Sequence, residues 1–185
     1  MDYIFSYFSD FWTEYQGRSR KHHNDPELII SCSKIPIVDE AKFLGVTLDK
    51  KLSFLLHIKM LKTKCLKALN LLKVLSNTDW GCNSSTLLKL YRSLIRSKLD
   101  YGSIIYGSAK KSYLQMLDTI HHQGLRLSLG AFRTSPIESL YVEAKEPSHN
   151  IRRKKLSLHY ATRISSNSTN PAKGTVFKPN YSEIF

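Results

Sequence analysis

Ser53-Phe54-Leu55-Leu56-His57-Ile58-Lys59-Met60-Leu61-Lys62-Thr63-Lys64-Cys65-Leu66-Lys67-Ala68-Leu69-Asn70-Leu71-Leu72-Lys73-Val74-Leu75 changes the period of the chain. Phe54, Ile58, Leu61, Cys65, Ala68, Leu72 and Leu75 follow one another at steps of four, three, four, three, four and three. That spacing lays an apolar stripe along one side of a helix of about six turns. Lys59, Lys62, Lys67 and Lys73 fall off the stripe, and Ser53 stands where an N-cap is expected. Asn77-Thr78-Asp79-Trp80-Gly81 ends the helix.

Downstream the pattern stays helical. A second helix starts near Asn83-Ser84-Ser85-Thr86, with Leu87, Leu88, Tyr91, Leu94, Ile95 and Leu99 as its buried side. Lys89, Arg92 and Arg96 line its other side, and it continues through Tyr101-Gly102-Ser103-Ile104-Ile105-Tyr106 to Gly107, with Gly102 allowing close packing. The third opens at Ser112-Tyr113-Leu114-Gln115 with capping-box spacing, buries Leu114, Leu117, Ile120, His121 and Leu125, and stops at Gly130. In the fourth, Ser135-Pro136-Ile137-Glu138 puts Ser at N-cap, Pro at N1 and Glu at N3, and Pro147 closes it. The fifth begins at Ser148, runs through Ile151, Leu158 and Ile164, and carries Arg152-Arg153-Lys154-Lys155. Beyond Ser165 the Ser-, Asn- and Pro-rich composition reads as a loose tail.

Upstream the runs are short and β-branched. Glu27–Cys32, Lys34–Val38 and Ala41–Asp49 read as a three-strand antiparallel meander, Pro36 marking an edge strand and Gly45 a bulge or a close backbone approach. The fold class is therefore mainly α with a small N-terminal antiparallel β element. Before it, Tyr3, Phe5, Tyr7, Phe8, Phe11, Trp12 and Tyr15 precede the basic Arg18-Ser19-Arg20-Lys21. Seven aromatics so close together call for burial more than for base stacking.

The chain has 185 residues, one ordinary domain in size, and a net charge of +13 from 28 Lys+Arg against 15 Asp+Glu. That excess points to a polyanionic partner. No apolar run approaches the roughly 20 residues of a membrane span, and the apolar opening lacks the basic region of a secretory signal. Cys32, Cys65 and Cys82 are odd in number and fit reduced thiols of the cytosol or nucleus. His22-His23 and His121-His122 stand far from cysteines at zinc spacing and read as surface or capping histidines. No Gly-rich phosphate loop occurs, and Asp39-Glu40 is the only adjacent acidic pair. Two-metal phosphoryl transfer needs clustered carboxylates, so no catalytic or metal residues are assigned, with Asp100 and Asp118 left as an unsupported pairing. The candidate nucleic-acid contacts are Lys59, Lys62, Lys67, Lys89, Arg92, Arg96, Arg126 and Arg133, with Arg152 and Arg153 beside them.

A longer pattern adds to this. Glu40-Ala41-Lys42-Phe43-Leu44-Gly45-Val46, Leu52-Ser53, His57-Ile58 and Lys64 to Ser76 resemble the end of the reverse transcriptase domain of non-LTR retrotransposons, closest to the jockey-like elements of arthropods. The likeness continues through Leu90 to Gly102, Tyr106-Gly107-Ser108-Ala109, Gly130 to Pro136, Glu138-Ser139-Leu140, Glu143-Ala144 and Glu146-Pro147. The resemblance implies that Phe43, Leu44 and Gly45 belong to a hairpin ending the palm, the primer grip, and that the heptad helix is part of the thumb. It implies an RNA/DNA template–primer duplex as partner. The family's Phe/Tyr-Ala-Asp-Asp signature is absent, so no cofactor is expected in this chain; the resemblance implies Mg²⁺ in the parent polymerase.

The resulting organisation is 1–26 unmatched, 27–50 palm-edge hairpin, 51–78 thumb-like helix, 79–165 helical connection and 166–185 tail. The expected role is that of a C-terminal fragment of an RNA-directed DNA polymerase, inactive alone, intracellular in cytoplasm or nucleus, missing its upstream polymerase domain, and holding template–primer without catalysing. The alternative is a helical protein-interaction module or a non-functional remnant.

Overall fold

A computed structural model describes residues 29–30, 33–34, 36–77, 80–167 and 169–177. The aromatic and basic opening, His22, His23 and Cys32 lie outside the described residues. Four short strands, β1 (Ile29–Ile30), β2 (Ser33–Lys34), β3 (Glu40–Phe43) and β4 (Val46–Asp49), precede a helical body. The helices are α1 (Leu55–Leu75), α2 (Ser84–Tyr91), a π-helical turn (Arg92–Arg96), α3 (Ser97–Asp100), α4 (Ser103–Tyr106), α5 (Lys111–Leu129), α6 (Ile137–Ala144), α7 (His149–Ser166) and α8 (Ala172–Phe177). The fold is mainly α with a small antiparallel β element near its start.

The β region is two separate hairpins and not one meander. β3 and β4 pair with Phe43 opposite Val46 and Glu40 opposite Asp49. The run expected as a single strand, Ala41–Asp49, folds back at Leu44-Gly45. Both turn residues have positive φ, 46° and 81°. A two-residue loop needs that, because only such turns match the right-handed twist of the strands. Gly45 is therefore a turn residue without a bulge, although the expected close approach is present: a Cβ there would stand 3.5 Å from the Tyr101 ring.

The turn from β4 into α1 is held by Asp49. Its carboxylate accepts from the backbone N–H of Ser53 (3.0 Å) and Phe54 (2.8 Å). Ser53 is consequently not the N-cap; Phe54 is, in the left-handed region with φ 58°, and Asp49 supplies the capping acceptor from outside the helix. The stripe of α1 is buried as its spacing requires, with Ile58, Cys65 and Leu72 completely enclosed. α1 and α2 both pack on α5, while α3 and α4 lie against α7.

α2 begins at N-cap Asn83, whose side chain accepts from Thr86 N–H at 2.9 Å. Leu87, Tyr91, Ile95 and Leu99 are all buried. Three successive steps of four are at odds with an ideal α-helix, where each +4 step over-rotates by about 40°. The wider turn at Arg92–Arg96 takes up that drift and keeps all four on one side. The helix does not run on to Gly107: Tyr101 is extended and Gly102 has φ 68°. Gly102 still serves close packing, since a Cβ there would stand 3.0 Å from Val46 Cγ2.

Two further starts differ from expectation. Ser112 lies inside α5, whose N-cap position is Lys110 without a side-chain bond. α6 begins at Ile137, so Pro136 occupies the cap position and Ser135 precedes it. Gly130, left-handed at φ 66°, ends α5 as read from sequence, and α7 starts where expected, with Ser148 as its N-cap. The stretch read as a loose tail carries α8.

Candidate nucleic-acid interface

The β3–β4 hairpin stands against α1 and α3 and leaves a half-open cleft of about 480 Å³ between them. In a two-residue hairpin the closing pair, Phe43–Val46, is hydrogen-bonded, so the next pair, Lys42–Thr47, turns its backbone groups outward. Thr47 N–H accordingly bonds to Nδ1 of the buried His57 at 3.3 Å. That bond locks the first turn of α1 to the hairpin. Tyr101, at the end of α3, donates its hydroxyl to the Leu44 carbonyl at 2.6 Å and closes the other side. The turn itself projects: Phe43 is 67% exposed and Leu44 74%.

Three lysines reach this cleft from three elements: Lys42 of β3, Lys64 of α1 and Lys98 of α3. All are exposed, and among the described residues none takes part in an ion pair. Glu40 is the carboxylate on the same wall. The field of the lysines is felt inside. Burial pushes the Cys65 thiol up to about 11, with Lys98 and Lys64 pulling it back down. Burial, and then the charge of Lys64, holds His57 below the ordinary imidazole value, so His57 is neutral with its proton on Nε2.

The residues expected from sequence are only partly brought together. At about 100° per residue Lys62 and Lys64 stand about 160° apart around α1, so Lys59 and Lys62 face away from the cleft and Lys67 lies between. Lys89 and Arg133 are exposed. Arg126 is half-buried, and its Nη2 donates to the Ser135 carbonyl at 3.3 Å. Arg92 and Arg96 hold a structural carboxylate. Arg96 Nη1 donates to both oxygens of Glu146 at 2.6 Å, Arg92 Nε donates to Oε1 at 2.6 Å, and Arg92 Nη2 donates to the Ala144 carbonyl at 3.0 Å. The Glu146 side chain is 2% exposed. Arg152 grips Asp100, with Nη2 at 2.8 Å, and Arg153 is buried, donating to His149 Nδ1 at 2.9 Å. Sequence reading missed Lys42, Lys64, Lys98 and Tyr101. The signal available for Lys64 was its phase on α1, at the flank of the stripe opposite Lys62.

Behind this surface, His121 is buried, as its place among the apolar positions of the third helix implies and its reading as a surface or capping histidine does not. It is buried between Tyr91, with which it shares a hydrogen bond, and the rings of Tyr141, His122 and His149. Asp118 lies 3.3 Å from His149, and Asp100 is taken by Arg152, so the two carboxylates have separate partners. Among the described residues no three His, Cys, Asp or Glu side chains stand together as metal ligands. Among them, too, no helix is long and apolar enough to cross a membrane.

Comparison with known proteins finds polymerases of mobile elements. Over 104 residues, 52% of its length, the chain is 34% identical to the RNA-directed DNA polymerase from mobile element jockey of Drosophila melanogaster, of which this is 11%. Its homologues are non-LTR retrotransposon RNA-directed DNA polymerases. The probable RNA-directed DNA polymerase from transposon X-element of the same fly is 26% identical over 60% of the chain and 12% of that protein. The Pol polyprotein of the type-1 retrotransposable element R1 of Nasonia vitripennis is 27% identical over 60% of the chain and 33% of that protein. The chain thus spans a small part of the retrotransposon polymerases it matches. No protein-family model and no solved structure matches it.

Proposed function

We propose that this chain is a non-catalytic holding element of a retrotransposon reverse transcriptase, gripping an RNA/DNA template–primer duplex inside the cell while residues of an upstream polymerase domain supply catalysis. The observation that carries the reading is the meeting of three unpaired lysines from three elements beside a projecting apolar turn. Phosphates are held by such cations without regard to sequence. Phe43, Leu44 and Gly45 act as the primer-grip-like turn. Lys59, Lys62, Lys67, Lys89 and Arg133 offer further phosphate contacts, and Arg126 braces its loop. Arg92 and Arg96 support the surface through Glu146. Any Mg²⁺ chemistry belongs to the upstream centre.

Fluorescence anisotropy of a labelled RNA/DNA hybrid tests this. With about six phosphate contacts the affinity falls roughly 10³-fold or more between 50 and 200 mM salt. Template-directed nucleotide incorporation by the chain alone stays at background. Binding that ignores salt, or no binding at 50 mM, overturns the reading and favours a protein-interaction module.

A further inference from the structure

The cleft has two chemically different halves. Lys42, Lys64 and Lys98 form a cationic rim, and Leu56, Met60 and Leu61 form an apolar floor. A duplex uses only the rim, because its bases stay stacked inside and reach a pocket only when unpaired. A volume of about 480 Å³ lies within the range of small-molecule sites and matches a ligand with one planar apolar body and one anionic group. Tyr101 lines the cleft with a 60% exposed ring, a face on which a base can stack. His57 also lines it, and its buried Nε2–H, a donor, has no partner among the described residues.

We infer that this cleft receives a single unpaired nucleotide, with its phosphate on Lys42, Lys64 and Lys98 and its base on the Tyr101 ring and the apolar floor. The inference rests on the nucleic-acid reading above and narrows it: the hybrid lies across the outer basic faces and the lysine rim, and an unpaired strand end continues into the cleft. The Glu40 carboxylate on the wall leaves an excess of two positive charges, enough for one phosphodiester and too few for a stretch of backbone.

The test uses the full chain and three probes: a labelled single-stranded oligodeoxythymidine, a blunt RNA/DNA hybrid, and unlabelled adenosine monophosphate or inorganic phosphate as competitors. The triple variant Lys42→Gln, Lys64→Gln, Lys98→Gln is compared with Lys59→Gln, Lys62→Gln, Lys67→Gln, which has the same net charge. The cleft variant loses single-strand affinity by about tenfold or more, and its salt slope flattens by about 0.7 for the one phosphate no longer held. Hybrid binding falls no further in it than in the control. The monophosphate displaces the single strand and equimolar inorganic phosphate does not. In the unsubstituted chain the oligonucleotide protects Lys42, Lys64 and Lys98 from acetylation more than Lys59 and Lys62, a measurement independent of whether the variants fold. Equal losses in the two variants, competition by phosphate as strong as by the monophosphate, or unprotected cleft lysines each overturn the inference while leaving salt-dependent hybrid binding intact. Loss of all nucleic-acid binding by the unsubstituted chain overturns both.

Discussion

Leu44 sits in a left-handed backbone conformation that a Leu side chain adopts only at a cost of about 1–2 kcal/mol, and it is 74% exposed, so packing returns little of that. Asn or Gly would suit the turn better. The fold alone has no use for Leu there, which is what a contact residue looks like. Leu44→Asn is therefore expected to raise stability by about 1 kcal/mol in urea denaturation and to weaken hybrid binding; a variant both tighter-binding and less stable contradicts the primer-grip-like role. His121 titrates in the opposite sense from a surface histidine. Burial, with the charges of His149 and His122, lowers its pKa from 6.5 to about 4. Asp118 also sits below the usual carboxylate range: burial pushes it up, but the adjacent His149 and the charges of Arg153 and His122 outweigh that. Between pH 6.5 and 4 the unfolded chain binds the extra His121 proton and the folded chain does not. The contribution is complete above about pH 6.5 and lost as pH falls to about 4, about 3 kcal/mol at most. Urea midpoints measured across that window should fall with acid, and His121→Phe should flatten the curve. Cys65, buried and raised to about 11, should resist thiol reagents at pH 8 until the chain unfolds.

At the scale of elements, the joint of the π turn, α6 and α7 depends on Glu146. Its enclosed carboxylate draws two guanidiniums from one turn and ties them to the end of α6. Glu146→Gln leaves Arg92 and Arg96 facing a neutral amide and should cost about 3 kcal/mol, read as a shift in urea midpoint. If the cost is below about 1 kcal/mol, the bridge is a surface pair in effect. Sequence could not show this bridge, because Glu146 follows α6 as an unremarkable acid fifty residues from Arg96. What was legible was whatever rests on local period: the α1 stripe, the helix starts near Asn83 and at Ser148, and the Gly130 stop. Where acceptors arrive from elsewhere, local reading misplaced the boundary, as with Asp49 capping α1 in place of Ser53. The hairpin was read as one strand because its β-branched pattern continues through the turn and only Gly45 interrupts it. The basic residues were legible as cations but not as partners. Arg92 and Arg96 share a helix face with Lys89 in the sequence pattern, yet differ from it in what stands opposite.

For the whole molecule, a net charge of +13 is a standing repulsion that nucleic acid or salt relieves. Thermal midpoints should rise from low to moderate salt as self-repulsion is screened, while hybrid affinity falls over the same range. A midpoint that drops steadily with salt would mean that ion pairs such as Arg152–Asp100 outweigh the net charge. The π turn bears on the molecule in another way. It sets the rotational phase of everything after it, so that Leu99 points into the core while Lys98, its neighbour, reaches the cleft. Deleting one residue between Arg92 and Arg96 would restore regular α-helical bonding, and the rotation lost with that residue, about 100°, is close to the drift that the wide turn now takes up, so Leu99 would stay in the core and Lys98 at the cleft. Adding a residue there would swing Leu99 out and Lys98 away. Gene copies that lose a single codon here would therefore keep the fit of hairpin to bundle and copies that gain one would lose it, whereas a codon gained beyond Ser165, past the end of the core, would pass unnoticed.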